Sequence, residues 1–261
     1  MTRIINKKQQ GLTLIELLIA MTLSAVVVLA VGGILISSNQ AASVSNTLSD
    51  SQETGRFAVE YMNRQILKAG YNPEDSDMQR FPSLCNNPAD TICIRNSNEG
   101  TGDPGDRLAI RRLAEDSTDT HFTCYGSALA VAGDMIVTDV YWVEVINNIS
   151  SLRCQTFDAS GNNLGLAQSL AAGVITMQVL YGQSFSDPAD EVLNVSRYYN
   201  ADQVPSWDDV YSVRIAFLTQ ALTTTSAPPW QQNFTLFDTK LFSFNDSISR
   251  QVFTNTITLM N

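Results

Sequence analysis

The sequence predicts an α+β fold, in which one very long N-terminal helix packs on an antiparallel β-sheet. Three observations predict it. An unbroken apolar run fills residues 12–36 with a single charge, Glu16. A stripe at alternate steps of three and four carries the helical pattern on to Ala69. After that come only β-branched and aromatic runs bounded by turn residues, and strands following one helix argue for segregated α and β layers.

The totals set the frame. The chain has 261 residues, 44% of them apolar, which is enough for a packed core and excludes wholesale disorder. Its formal charge of -10 repels phosphate backbones, and no local basic patch offsets it, so no nucleic acid is expected as a partner. The four cysteines, Cys85, Cys93, Cys124 and Cys154, contain no C-x-x-C pair, and His121 is the sole histidine, so no metal site and no cofactor are expected. An even cysteine count behind a membrane-targeting N-terminus fits two disulfides in an oxidising compartment. Four cysteines allow three connectivities, of which Cys85 with Cys93 and Cys124 with Cys154 are favoured.

At about 1.5 Å per residue, residues 12–36 more than cross a ~30 Å hydrocarbon layer. The run is too long for the ~7 to 15-residue core of an ordinary secretory signal. Arg3, Lys7 and Lys8 precede it and no basic cluster follows, so the positive-inside rule leaves residues 1–11 cytoplasmic. Glu16 stands out, because a carboxylate near the centre of a membrane helix costs about 2.5 to 3.5 kcal/mol on insertion scales. It needs a partner. Near a helix start the macrodipole also favours it, so contact with its own helix end and headgroups is the simpler alternative.

The stretch GLTLIELLIAM at residues 11–21 resembles the class III signal of type IV prepilins and type II secretion pseudopilins. The resemblance implies a pilin-like fold with a leader, residues 1–11, cut after Gly11 by the prepilin peptidase, which then methylates the new N-terminus at Leu12. Leu12 departs from the phenylalanine usual there. Glu16 becomes the fifth mature residue, and pairing it with the α-amino cation of a neighbouring subunit removes two unpaired charges from an apolar filament core.

Residues 37–69 form the second half of the helix. Val44, Leu48, Ser51, Gly55, Ala58, Met62, Ile66 and Ala69 make its stripe, and Lys68, Gly70 and Pro73 end it. Gly32 and Gly33 cost about 2 kcal/mol against alanine, which marks either a point of local melting or a close-packing face. Residues 70–261 form the globular part. Strands are expected at 107–112, 135–146, 151–157, 173–182 and 210–220, with a last one in ISRQVFTNTITLMN. In the fifth, Val213, Ile215 and Phe217 alternate with Ser212, Arg214 and Ala216, giving one buried face.

The later part most resembles PilW-type minor pilins, through LKAGY at the helix end, the D-R-L-A-I strand from Asp106, GVITMQVLYG, and the closing strand after Arg250. That resemblance implies a minor subunit working with other minor pilins and the major pilin in a complex that primes assembly, anchored in the inner membrane with its globular part periplasmic, and placed at the filament tip. A J-type secretion pseudopilin shares much of this plan. A tip adhesin is the alternative from another class: residues 182–209, with Tyr198, Tyr199 and Trp207, and TTTSAPPW ending at Trp230, read as exposed loops or as cover for their own small core. Asp187, Asp190 and Glu191 lack EF-hand spacing and read as a solvated face. Catalysis is not expected, since no nucleophile or phosphate-loop motif occurs and His121 stands alone.

Overall fold

The computed structural model describes residues 13–72, 78–81, 105–115, 122–129, 133–184, 195–237 and 241–259. Helix α1 spans Leu14–Ile66 without a break at Gly32 or Gly33. It is followed by turns to Gly70, whose φ of +77° suits a residue without a Cβ. The Gly70 N–H donates to the Arg111 carbonyl at 2.9 Å and the Leu113 N–H to the Tyr71 carbonyl at 2.8 Å, so the helix end is stitched to the first strand.

Among the described residues ten strands follow: β1 Leu108–Ala114, β2 Met135–Ile146, β3 Ile149–Asp158, β4 Gln168–Ala172, β5 Val174–Ser184, β6 Val195–Tyr199, β7 Val210–Gln220, β8 Trp230–Phe234, β9 Phe242–Asp246 and β10 Arg250–Thr258. They form two antiparallel four-stranded sheets, β1-β2-β3-β4 and β10-β7-β5-β6, and a β8-β9 hairpin. The expected sheet is thus divided in two, with both halves facing α1. Asp106 joins them: its N–H donates to the Met177 carbonyl at 2.8 Å and its carboxylate accepts the Val179 N–H at 2.7 Å. The β2–β3 turn is a two-residue connection at Asn147 (φ 51°) and Asn148 (φ 65°), the left-handed pair that suits a hairpin's twist.

One core fills the space beneath the helix. Ala58, Met62 and Ile66 of α1 meet Tyr141, Leu152, Met177, Ile215 and Phe217, all buried. Nearer the helix start, polar pairs replace apolar contacts. Thr47 Oγ1 lies 3.1 Å from Ser249 Oγ, and Ser51 Oγ lies 2.9 Å from Thr219 Oγ1, every one of these residues buried. Gly55 sits between the polar and apolar parts of the seam, with the Phe253 ring against it.

Four short strands, β4, β6, β8 and β9, went unread in the sequence. The hairpin of β8 and β9 also corrects the expectation of one buried face on β7. Ala216 and Leu218 on its other face are buried under Leu236, Phe234 and Phe244.

Candidate assembly site

The N-terminal half of α1 is one exposed apolar surface. Leu14, Ile15, Leu29 and Ile34 are each at least 65% exposed, and the stretch is long and apolar enough to cross a membrane. Thr13 starts the helix with its backbone extended, and its hydroxyl accepts the Glu16 N–H at 3.3 Å. The Glu16 carboxylate returns the contact, since its Oε2 accepts from the Thr13 N–H at 3.1 Å and the Thr13 hydroxyl at 3.0 Å. This is a capping box, satisfying two N–H groups that a helix start leaves without partners. Sequence reasoning placed Glu16 at the helix start but missed Thr13, whose T-x-x-E spacing was the available signal. Gly11 and Leu12, the expected cleavage point, lie outside the described residues, as does the leader.

Beside the far end of α1 a second constellation is buried. Arg112 Nε donates to Asp139 Oδ2 at 2.8 Å, with side chains 7% and 2% exposed. Asp139 Oδ1 accepts the Thr156 hydroxyl at 2.6 Å, and Thr156 Oγ1 in turn accepts the Cys124 N–H at 2.8 Å. Arg112 Nη2 donates to the Phe122 carbonyl at 2.6 Å, and the Tyr61 hydroxyl donates to the Cys124 carbonyl. Burial first, and then the Asp139 charge, push the Tyr61 hydroxyl pKa up to about 12 and that of Tyr141 well above its ordinary range. The segment at 122–129 is thus fastened to the helix and to two strands.

A disulfide joins Cys124 to Cys154 with Cα atoms 6.2 Å apart. Cys85, Cys93 and His121 lie outside the described residues. Above the network, Tyr61, Lys68, Tyr71, Arg112, Phe122 and Tyr125 line a cavity of about 600 Å³. Among the described residues no group of three or more histidine, cysteine or carboxylate side chains could hold a metal ion.

The aromatic side chains read as candidate recognition surface are used by the fold. Trp207 packs edge-on to Tyr181 with centroids 4.8 Å apart and also meets Phe81, both buried. Tyr198 lies under the Arg214 guanidinium at 4.1 Å, and Tyr199 under that of Arg197 at 5.0 Å. In TTTSAPPW, Thr225 is buried with its N–H on the Ser247 carbonyl, the Ser226 N–H donates to Ser43 Oγ at 3.3 Å, and Trp230 begins β8. Asp187, Asp190 and Glu191 lie outside the described residues.

Comparison with known proteins fits this geometry. Residues 140–261 match the family model of type IV pilus-assembly protein W, and residues 6–32 match the prokaryotic N-terminal methylation motif. A search of curated proteins returns no match. Among solved structures, a type IV-like pilin from Thermus thermophilus is similar at 13% identity with a TM-score of 0.43, over 81% of this chain and 94% of that one. With a methylation motif at its start, a match over β3 to β10 and the end of β2, and a long helix laid on antiparallel sheets, the chain is similar to type IV pilus-assembly protein W over residues 140–261 and to the N-terminal methylation motif over residues 6–32.

Proposed function

We propose that the chain is made as a membrane precursor, cut after Gly11, methylated at Leu12, and inserted among other subunits' helices in a priming complex at the filament tip. Residues 1–11 are the leader, 12–36 the membrane and filament-core helix, 37–69 its second half, and 70–261 the periplasmic globular part. The partners are the prepilin peptidase, other minor pilins and the major pilin, with the N-terminus on the cytoplasmic side of the inner membrane.

The observation that carries this reading is the lone acid at the head of an exposed apolar helix. Glu16 is the only charged residue among residues 12–36, and among the described residues its Oε1 accepts no hydrogen bond while Oε2 holds the cap. A carboxylate oxygen left over one turn from the new N-terminus suits a neighbouring subunit's α-amino cation, which has the same need in an apolar surround. Substituting Glu16→Val should lower filament incorporation while leaving cleavage intact, read by immunoblot of sheared filaments and by the precursor-to-mature mass shift. Unchanged incorporation would remove the pairing. A mass spectrum of the cell-derived protein should start at methylated Leu12, and an intact Met1 would remove the processing step.

A further inference from the structure

The end of the globular part that faces the membrane helix carries a bare apolar tip. Val145, Ile146 and Ile149 flank the Asn147-Asn148 turn at 55%, 44% and 46% exposure, and Leu222 beside them is 61% exposed. Hairpin tips in water are ordinarily polar, and lone surface apolar residues need no account, but here four stand at one end of the sheets with no charge among them. A chain of contacts fixes where it stands along α1. Ser51 bonds Thr219, Gln220 donates to the Gly173 carbonyl, and Gly173 donates to the Ser150 carbonyl at 2.8 Å. Leu222 lies over the same glycine, 3.6 Å from where its Cβ would be. β3 runs away from the membrane helix, so Ile146 and Ile149, which pair with each other, project beyond Ser150 toward it.

The height follows from the rises per residue. Ser51 stands about 22 Å beyond Ile36 at 1.5 Å per residue. One ladder step to Ser150 and two more to the turn, at about 3.4 Å each, return about 10 Å of that. The tip therefore hangs about 12 Å above the end of the apolar run, against a headgroup layer of about 5 to 7 Å per leaflet. Residues 12–36, about 37 Å long, exceed a ~30 Å layer, and a tilt of about 37°, within the range of membrane helices, takes up the surplus. That tilt lowers a flank about 15 Å off the axis by a further ~9 Å, into the headgroups.

We propose that the β2–β3 tip with Leu222 is a lipid-contacting foot, which rests on the outer leaflet's headgroup layer while the subunit waits in the membrane. It rests on the membrane-inserted reading above. The foot would set the tilt and rotation at which the subunit meets its partners, because two contacts with the bilayer orient a body that one helix leaves free to spin.

The test uses the full-length chain in vesicles of phosphatidylethanolamine and phosphatidylglycerol, with p-benzoylphenylalanine replacing one residue at a time. Ile19, within the apolar run and 53% exposed, reports insertion. Ile149 reports the foot, and exposed Gln203, near the opposite end of β7, reports stray contact. Lipid adducts at 19 and 149 and none at 203 are expected. With the photoprobe at Leu222, the double change Ile146→Asn and Ile149→Asn should abolish the adduct there. Adducts at 19 alone would overturn the foot and leave insertion standing, while none at 19 would overturn both. Adducts at 203 as well would mean indiscriminate contact and overturn the foot. In cells, a protein adduct at 149 in place of lipid would give the tip to another subunit and overturn the proposal.

Discussion

At Gly55 the Phe253 ring of β10 lies against the bare helix backbone, and replacing the glycine by alanine sets two effects against each other. Alanine is better than glycine within a helix by about 1 kcal/mol, so helix propensity alone predicts a gain. The structure predicts a loss. A Cβ at Gly55 would stand 2.1, 2.2 and 2.6 Å from three atoms of the Phe253 ring. Ordinary carbon contacts lie near 3.5 Å, so either the ring or the helix must move by more than about 1 Å. Overpacking of that kind costs about 1 to 3 kcal/mol. Three clashing atoms on a flat ring put it in the upper half of that range, for a net loss of about 1 to 2 kcal/mol. In a domain of this size that is a fall in Tm of about 2 to 8 °C. The assay is thermal unfolding of the purified full-length protein in detergent, followed by circular dichroism, for Gly55→Ala alone and in a Phe253→Ala background. Without the ring, the same step should turn from destabilising to stabilising by about 1 kcal/mol. If Gly55→Ala raises Tm in the parent, or shifts it equally in both backgrounds, the ring is not what requires the glycine.

Three further outcomes follow from the network beside the far helix end and from the hairpin. Replacing Cys124 and Cys154 together by alanine opens a loop with a sequence separation of 30 and should cost about 3 to 4 kcal/mol, seen as a lower urea midpoint under oxidising conditions. An unchanged midpoint would show that the packing around 122–129 suffices without the bond. Asp139→Ala strands the buried Arg112 guanidinium and should cost about 3 to 5 kcal/mol, whereas Arg112→Met with Asp139→Leu should lose less than that single change. A double variant weaker than the single would refute the charge argument. The Arg250 side chain, followed by the Ile248 N–H, holds the Asp246 carboxyl below its ordinary pKa. A depressed folded pKa gives stability that is present above the unfolded pKa of about 3.9 and lost as pH falls through the folded value. Stability should therefore fall on acidification below about pH 4, and Asp246→Asn should flatten part of that fall.

Much of the fold was legible because apolar periodicity reports burial where burial is apolar. The expected strands at 135–146 and 210–220 match β2 and β7 end to end, and Ser51, Gly55, Ala58, Met62, Ile66 and Ala69 of the stripe are the buried helix face together with Thr47. It failed at Leu48, which is only partly buried, because the helix turns a threonine to the sheet there and satisfies it with Ser249. A polar pair closing a helix–sheet seam has no apolar signature. The strands QSLAA, VSRYY, WQQNF and FSFND were unread because each is five residues long and carries two or three polar residues, too short for a clear apolar period. Yet FSFND alternates phenylalanine with polar residues and WQQNF is bounded by aromatic ones, which was a strand signal. At the assembly site the motif gave Glu16 and the apolar run. The roles of Tyr198, Tyr199 and Trp207 could not be read, because a half-buried aromatic residue and an exposed one look alike in a chain with many turns.

The polar end of the seam does something that an all-apolar contact would not. Leucine against leucine tolerates small rotations of a helix, whereas Thr47 on Ser249 and Ser51 on Thr219 each lose about 1 kcal/mol if α1 turns or slides, and more if the buried hydroxyls are left unpaired. The rotation of the helix against the sheet is therefore fixed, and because α1 is unbroken, so is the direction in which its far end points. The ~35 steps from Glu16 to Ser51, at about 100° each, amount to ten turns less about 100°. Glu16 thus lies about a quarter turn from the seam, on the flank of the helix and not beneath its own globular part. A neighbour's amine, in the filament proposed above, would meet it from the side, with no domain in the way. A hydrogen-bonded clamp more than 40 Å up the helix, by the same rise of about 1.5 Å per residue, sets which face the acid presents.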